Sequence, residues 1–386
     1  MEPALDLRPS IWLDPAECRV DDLRAVVEQD TDAAAFPHAD IVENVAVYAA
    51  HTLRDTDRRT IQSEVVRALL DGPGIVVVTG AFEPAVIDRA TAEFFALIEA
   101  QRVAGGPAGD HFAAAGSNDR VWNALEKLAI AAPETFAGYY ANDVLALVCE
   151  AWLGPGYQVT SQVNVVNPGG RAQTPHRDYH LGFMTGPAAA RYPAHQHALT
   201  PALTLQGAVA HCDMPLESGP TLYLPHSQKY AHGYLVADRA EFRAYFADHH
   251  VQLPLAQGDA VFFNPALLHG AGTNRSADIR RMANLLQVSS AFGRAMETVD
   301  RSRISRAVLP ALRRAKDAGA SKSALRNVVA ATAEGYAFPT DLDRDPPIDG
   351  LAPPSQADLL WTAVEQGWDD DRFAAELTAQ DTRRRG

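Results

Sequence analysis

Gly258-Asp259-Ala260-Val261-Phe262-Phe263 is a short apolar run entered through Gly-Asp and left through Asn264-Pro265. It is too short for an amphipathic helix, and turn residues on both sides mark it as a buried strand. Working outward, the same texture holds from about 157 to 292, with candidate strands at 157–167, 174–178, 203–213, 221–225, 259–264 and 281–291. Pro and Gly turns separate them. Many short strands without crossover helices argue against a parallel α/β sheet. They point to a mainly β core with flanking helices, a barrel or a double-sheet jelly roll.

The flanks read differently. The first 70 residues carry helix and loop patterns; Asp57 reads as the N-cap of a helix from Arg58 to Leu70, stopped by Gly72-Pro73-Gly74. Ile75-Val76-Val77-Val78 is a short buried strand, and Pro84 opens a helix to about Ala100. Further helices are expected at about 120–131, 134–153 and 301–318, with a last one near 356–366 after the Pro- and Asp-rich stretch Pro339–Pro354. The division is then an N-terminal helical extension (1–63), a core with flanking helices (64–292) and a C-terminal helical region packed on it (293–386).

Composition narrows the function. No run of 18 apolar residues occurs in the 386, so no membrane span is expected. Met1-Glu2-Pro3-Ala4-Leu5-Asp6 lacks the basic start and apolar run of a secretion signal, which predicts a cytoplasmic protein. Cys18, Cys149 and Cys212 are too dispersed for a disulfide framework or a CxxC site and read as reduced thiols. A net charge of −14 and a pI near 5.3 disfavour nucleic acid and acidic membranes as partners. The closing Arg383-Arg384-Arg385 reads as a solvated tail. Nothing in the pattern fixes an oligomeric state.

The chemistry is carried by Thr174-Pro175-His176-Arg177-Asp178-Tyr179-His180. On a strand, residues two apart share a face, so His176 and Asp178 can meet one ion. Leu267-Leu268-His269-Gly270, 91 residues beyond Asp178 at its histidine, is the best source of a third ligand. Two imidazoles and one carboxylate on one side of an octahedral ion make the facial triad of non-haem iron(II) oxygenases, with the opposite positions open. An HxD pair alone is a weak signal in a chain with 13 histidines. Arg280, opening the strand that continues Met282, Asn284 and Leu286, strengthens it, because its planar fork suits a dicarboxylate. On a regular strand Arg281 points the other way; it and Arg275 read as solvent-facing.

With these residues assembled, the chain resembles the phytanoyl-CoA dioxygenase family of iron(II)- and 2-oxoglutarate-dependent oxygenases. The segments that carry the resemblance are His176–His180, Glu217-Ser218-Gly219-Pro220-Thr221-Leu222-Tyr223-Leu224-Pro225, and Gly258–Phe263 running on to His269-Gly270-Ala271-Gly272 and Arg280. The resemblance spans roughly 64–292. It implies a double-stranded β-helix, iron held by His176, Asp178 and His269, and Arg280 on the distal carboxylate of 2-oxoglutarate. Where family members often have a lysine before the proline that ends the preceding strand, this chain has Asn167, which keeps a hydrogen bond to the cosubstrate but no charge. Ala271 stands where a serine is common, and Ala208 where some members carry an aromatic; Gln206 and Ala210 share its face, so the pocket is reshaped. Related halogenases lack the carboxylate ligand, so Asp178 favours oxidation over halogenation.

Other residues are weighed for substrate contact. His180 should face the cavity with Asp178; Gln206 follows from the face it shares with Ala208. Tyr192 lies in the insertion 186–200, a candidate lid or a solvated loop, beside His195 and His197, whose HxH spacing lacks a third ligand. The expected activity is a 2-oxoglutarate-dependent non-haem iron dioxygenase, a hydroxylase. It would oxidise an unactivated C–H bond of a small molecule with O2 as cosubstrate and release succinate and CO2. Candidate substrates are a secondary-metabolite intermediate and an acyl derivative. The alternatives are a zinc-dependent hydrolase on the same triad, which leaves Arg280 without a role, and a non-catalytic jelly-roll binding protein.

Overall fold

Alternation along the strands builds two distinct faces. In the segment 281–289, Met282, Leu286 and Val288 pack into one large hydrophobic core, while Arg281, Ala283, Leu285 and Gln287 face a cavity. The same division holds for Leu205 and Val209 against Gln206, Ala208 and Ala210, and for Val163 and Val165 against Gln162 and Asn164. These relations come from a computed structural model that describes residues 11–104 and 116–385. The opening segment Met1–Asp6 lies outside the described residues.

The strands are β1 (Asp40–Val42), β2 (Val45–Ala49), β3 (Ile75–Thr79), β4 (Asn118–Val121), β5 (Gln158–Val166), β6 (Thr204–Ala210), β7 (Leu222–Tyr223), β8 (Val251–Gln252), β9 (Ala260–Phe263), β10 (His269–Gly270) and β11 (Arg281–Ser289). Eight of them form a sheet in the order β1-β2-β3-β9-β6-β11-β5-β4, and three a small sheet, β10-β7-β8. Among the described residues all strand pairings are antiparallel except that of β2 with β3. The two sheets face each other across the cavity, which residues of both line, and helices cover the outer face of the large one. This is a double-stranded β-helix with flanking helices.

Several expectations change. The segment 174–178 is not a strand: it joins the small sheet only through a bridge between His176 and His269. Pro175 has no N–H to give a ladder, and positive φ at Tyr179 and His180 turns the chain away directly after Asp178. The N-terminal region contributes β1 and β2 as well as helices. The helix expected from about 120 begins at Ala124, behind β4, and the one expected over 134–153 is two, Pro133–Tyr140 and Asp143–Leu153. The break falls at Asn142, whose side chain caps the second helix by accepting from the Leu145 N–H. Asp57 caps Arg58–Leu70 in the same way, through Thr60.

Beyond Arg301–Asp317 come Lys322–Thr332, Gln356–Gln366 and Asp370–Arg384, so the helix near 356–366 is not the last. The closing arginines are not a free tail. Arg383 pairs with Asp345 at 3.1 Å, and Arg384 donates to the Ala337 carbonyl at 2.8 Å. The insertion 186–200 folds into two short helices, Gly186–Ala189 and Ala194–Leu199. No helix among the described residues is long and apolar enough to cross a membrane.

Candidate metal centre

His269 arrives in the cavity through a tightly bonded turn after β9. Asn264 takes the Ala266 N–H on its side-chain oxygen and donates to the Leu69 carbonyl, and the Leu268 N–H donates to Ser227 Oγ. The backbones of His176 and His269 then exchange N–H···O bonds of 2.9 and 3.1 Å, and the Asp178 N–H bonds the Pro265 carbonyl. The 174–178 segment is thus hung on the 265–270 turn. That brings the ligating atoms of His176, Asp178 and His269 within 4.8 Å of one another.

The side chains are oriented for a cation. His176 Nδ1 lies 2.8 Å from the Thr174 carbonyl and His269 Nδ1 2.9 Å from the Leu267 carbonyl. A carbonyl only accepts, so each Nδ1 carries the proton and each Nε2 presents a lone pair. Those Nε2 atoms face the Asp178 carboxylate at 3.7 and 3.6 Å. Burial pushes the Asp178 carboxyl up, but the neighbouring His269 and His176 and the Gln206 amide more than offset it and hold it down at about 2. Burial and neighbouring His269 lower His176 below the ordinary histidine range. Two imidazoles that present Nε2 and one anionic carboxylate fit a divalent transition metal.

The site opens on a cavity of about 530 Å³ between the sheets. At one end of β11 Arg281 enters it, 6 % exposed, with Nη1 buried and without a hydrogen-bond partner. Burial lowers the Arg281 guanidinium to about 10. Arg280, the residue expected here, lies on the other face. It pairs with Asp119 at 3.0 Å, bonds Asn167 Oδ1 at 3.3 Å and covers the Phe95 ring. Neither Arg280 nor Asn167 lines the cavity. The alternation of β11 was expected correctly and its facing reversed. Met282, Leu286 and Val288 form the better apolar stripe and turn to the helices, which sends Arg281 inward.

Gln206 is where its neighbours Ala208 and Ala210 put it, in the cavity, and its Nε2 donates to Asp178. His180 does not line the cavity; after the turn at Tyr179 its Nδ1 bonds Thr200 Oγ1 at 2.6 Å. Tyr192 is 40 % exposed on the surface and also stays out of the lining. His197 bonds the Ala189 carbonyl within the insertion. The sequence reading does not single out the polar lining residues Arg120 on β4, Gln162 on β5 and Gln287 on β11. Glutamines and an arginine on a strand are ordinary surface residues in a sequence, and only sheet order turns them inward.

A jelly roll that gathers this donor set at one cavity has the make-up of a mononuclear non-haem metal enzyme. The model of the phytanoyl-CoA dioxygenase (PhyH) family matches residues 70–282, more than half of the chain, and the protein belongs to that family. It is accordingly an iron- and 2-oxoglutarate-dependent non-haem enzyme, with O2 as cosubstrate. Among solved structures, it is similar to the non-haem α-ketoglutarate-dependent carbocyclase SnoK from nogalamycin biosynthesis (20 % identity, 65 % of this chain and 92 % of that one, TM-score 0.46). It is also similar to AviO1 from Streptomyces viridochromogenes Tue57 (21 %, 62 % and 98 %, TM-score 0.44). A third is the epimerase SnoN from nogalamycin biosynthesis (21 %, 61 % and 84 %, TM-score 0.39). No curated protein sequence matches it significantly.

Proposed function

We propose that the protein hydroxylates or otherwise oxidises a C–H bond of a small molecule held between the two sheets. In this reading iron(II) is held by His176, Asp178 and His269, and the distal carboxylate of 2-oxoglutarate by Arg281. One observation carries it: a pre-oriented His/Asp/His set shares a cavity with a buried guanidinium that has an unpartnered Nη1. Iron, when bound, supplies dioxygen activation coupled to decarboxylation of 2-oxoglutarate to succinate and CO2.

The remaining work belongs to the chain. The carbonyls of Thr174 and Leu267 fix both imidazoles, and Gln206 fixes Asp178. Arg281 is positioned to take a carboxylate in bidentate fashion. Val77, Ala208, Val261, Phe263 and Ala283 make the walls apolar and limit water. A zinc hydrolase on the same triad would leave Arg281 buried without a purpose.

Anaerobic titration of the full chain with iron(II) and 2-oxoglutarate is expected to give the weak visible charge-transfer band of the chelate. On admission of air, succinate should form. Asp178→Ala should abolish both. No band and no succinate from the folded, iron-loaded chain would sink the reading.

A further inference from the structure

An amide side chain has a donor end and an acceptor end, and a charged neighbour decides which way it points. Two charges decide it along the cavity wall. On the metal side, Gln206 turns its Nε2 to the Asp178 carboxylate, which leaves Gln206 Oε1 facing away. That oxygen is buried and has no hydrogen-bond partner, in a side chain only 6 % exposed. On the far side, Arg120 Nη1 donates to Gln162 Oε1 at 3.0 Å. Gln162 must therefore present its Nε2, which donates to Gln287 Oε1 at 3.1 Å and also approaches Met296 Sδ. Gln287, 7 % exposed and lining the cavity, is left with an Nε2 that has no acceptor among the described residues.

Gln206 and Gln287 are direct cross-strand partners on β6 and β11. Side chains so placed have Cβ atoms about 5 Å apart on one face. The wall thus offers, next to the metal centre, one acceptor and one donor whose senses are set from opposite ends by Asp178 and Arg120. An alcohol oxygen satisfies both at once, donating to Gln206 Oε1 and accepting from Gln287 Nε2. A ketone or an ether satisfies only the donor and leaves a buried acceptor bare. Ala208, Leu285, Phe183 and Met296 supply apolar surface around the pair for the carbon skeleton.

We propose that Gln206 and Gln287 form a hydroxyl clamp, so that the substrate class is a hydroxyl-bearing, otherwise largely apolar small molecule. Its alcohol would be anchored beside the carbon that reacts. The role in catalysis rests on the oxygenase reading; the binding preference does not.

Full-length chain is titrated with trans-4-(trifluoromethyl)cyclohexanol, its methyl ether and 4-(trifluoromethyl)cyclohexanone, followed by fluorine NMR. One series uses metal-free protein and another protein loaded with redox-inert zinc and 2-oxoglutarate. The alcohol is expected to bind about tenfold tighter than the ether or the ketone in both. Gln287→Met, close in volume, should bring the ratio to within about twofold while ether binding is kept; Gln287→Leu serves as second variant, and melting temperature reports the fold of each. Equal affinities in the native chain, no binding of any probe, or discrimination that survives both variants would overturn the clamp. Discrimination without the iron–2-oxoglutarate band would leave the clamp standing and remove the oxygenase reading; the band without discrimination would do the reverse.

Discussion

Arg280 and Arg281 are consecutive yet serve opposite faces of the large sheet: Arg280 is tied to Asp119 on the outer side, and Arg281 enters the cavity that Tyr223 also lines. A buried guanidinium is costly unless a counter-charge meets it, and none of the described carboxylates is paired with Arg281. The 2-oxoglutarate carboxylate would fill that gap.

Arg281→Ala is therefore expected to raise the KM for 2-oxoglutarate on the order of a hundredfold, and Arg281→Lys to recover only part of it. Arg280→Ala should leave that KM within about twofold and cost no more than about 1 kcal/mol, since its ion pair is half exposed. Steady-state kinetics with 2-oxoglutarate as the varied substrate would check this, and the opposite ranking of the two variants would refute the assignment.

The pH dependence of metal binding should owe nothing to the carboxylate ligand. Asp178, held at about 2, is ionised throughout the useful range and competes for no proton. His176 is held below the ordinary histidine value, so above pH of about 6.5 it is already neutral. The part of the pH dependence of zinc or manganese affinity that comes from His176 should therefore appear only on acidification below about pH 6.5. Bound metal should raise the melting temperature by mass action, and Asp178→Ala should erase that rise. Calorimetric titrations of the native chain and of His176→Ala at several pH values test both; a pH dependence above pH 6.5 that His176→Ala removes would contradict the lowered His176.

Gly233 couples a remote turn to this centre. A Cβ there would sit 1.8 Å from Arg177 Cζ, and Arg177 stands between two proposed ligands, His176 and Asp178. The Arg177 guanidinium is fully buried against Tyr234 and donates to the Tyr230 carbonyl at 2.9 Å, so it has no room to retreat. Gly233→Ala is expected to destabilise the fold by about 1–3 kcal/mol. It should also weaken metal binding, as measured by denaturation and zinc titration. Full metal affinity in a destabilised variant would show that the turn supports the fold only.

How much of this was legible depends on where each signal lives. The strand at β9 and the HxD pair are local patterns, visible in a few consecutive residues. β1 and β2 were missed because Asp40-Ile41-Val42 is short and β2 pairs in parallel with β3, a non-local partner. The facing of Arg281 was ambiguous because both stripes of β11 mix polar and apolar residues: Asn284 stands on the helix side and Gln287 on the cavity side. The place of Gln206 followed from strand alternation; its contact with Asp178 required the turn at Tyr179, which no residue type announces.

His211 gives the sharpest pH prediction for stability. It is 2 % exposed, wedged between Thr91 Oγ1 at 2.8 Å and the Tyr139 hydroxyl at 3.1 Å, and burial lowers it to about 3. In the unfolded chain it returns to about 6.5. Below that value the unfolded state takes up a proton that the folded state refuses, so the contribution is complete above about pH 6.5 and declines towards pH 3. Between pH 7.5 and 5.0 this one residue should remove about 2 kcal/mol, at about 1.4 kcal/mol per unit below 6.5. His211→Gln cannot titrate, so it should lose about 2 kcal/mol less than the native chain over the same interval, whatever its stability at pH 7.5. Urea denaturation of both proteins at the two pH values decides it; equal losses would mean that His211 accepts its proton in the folded state.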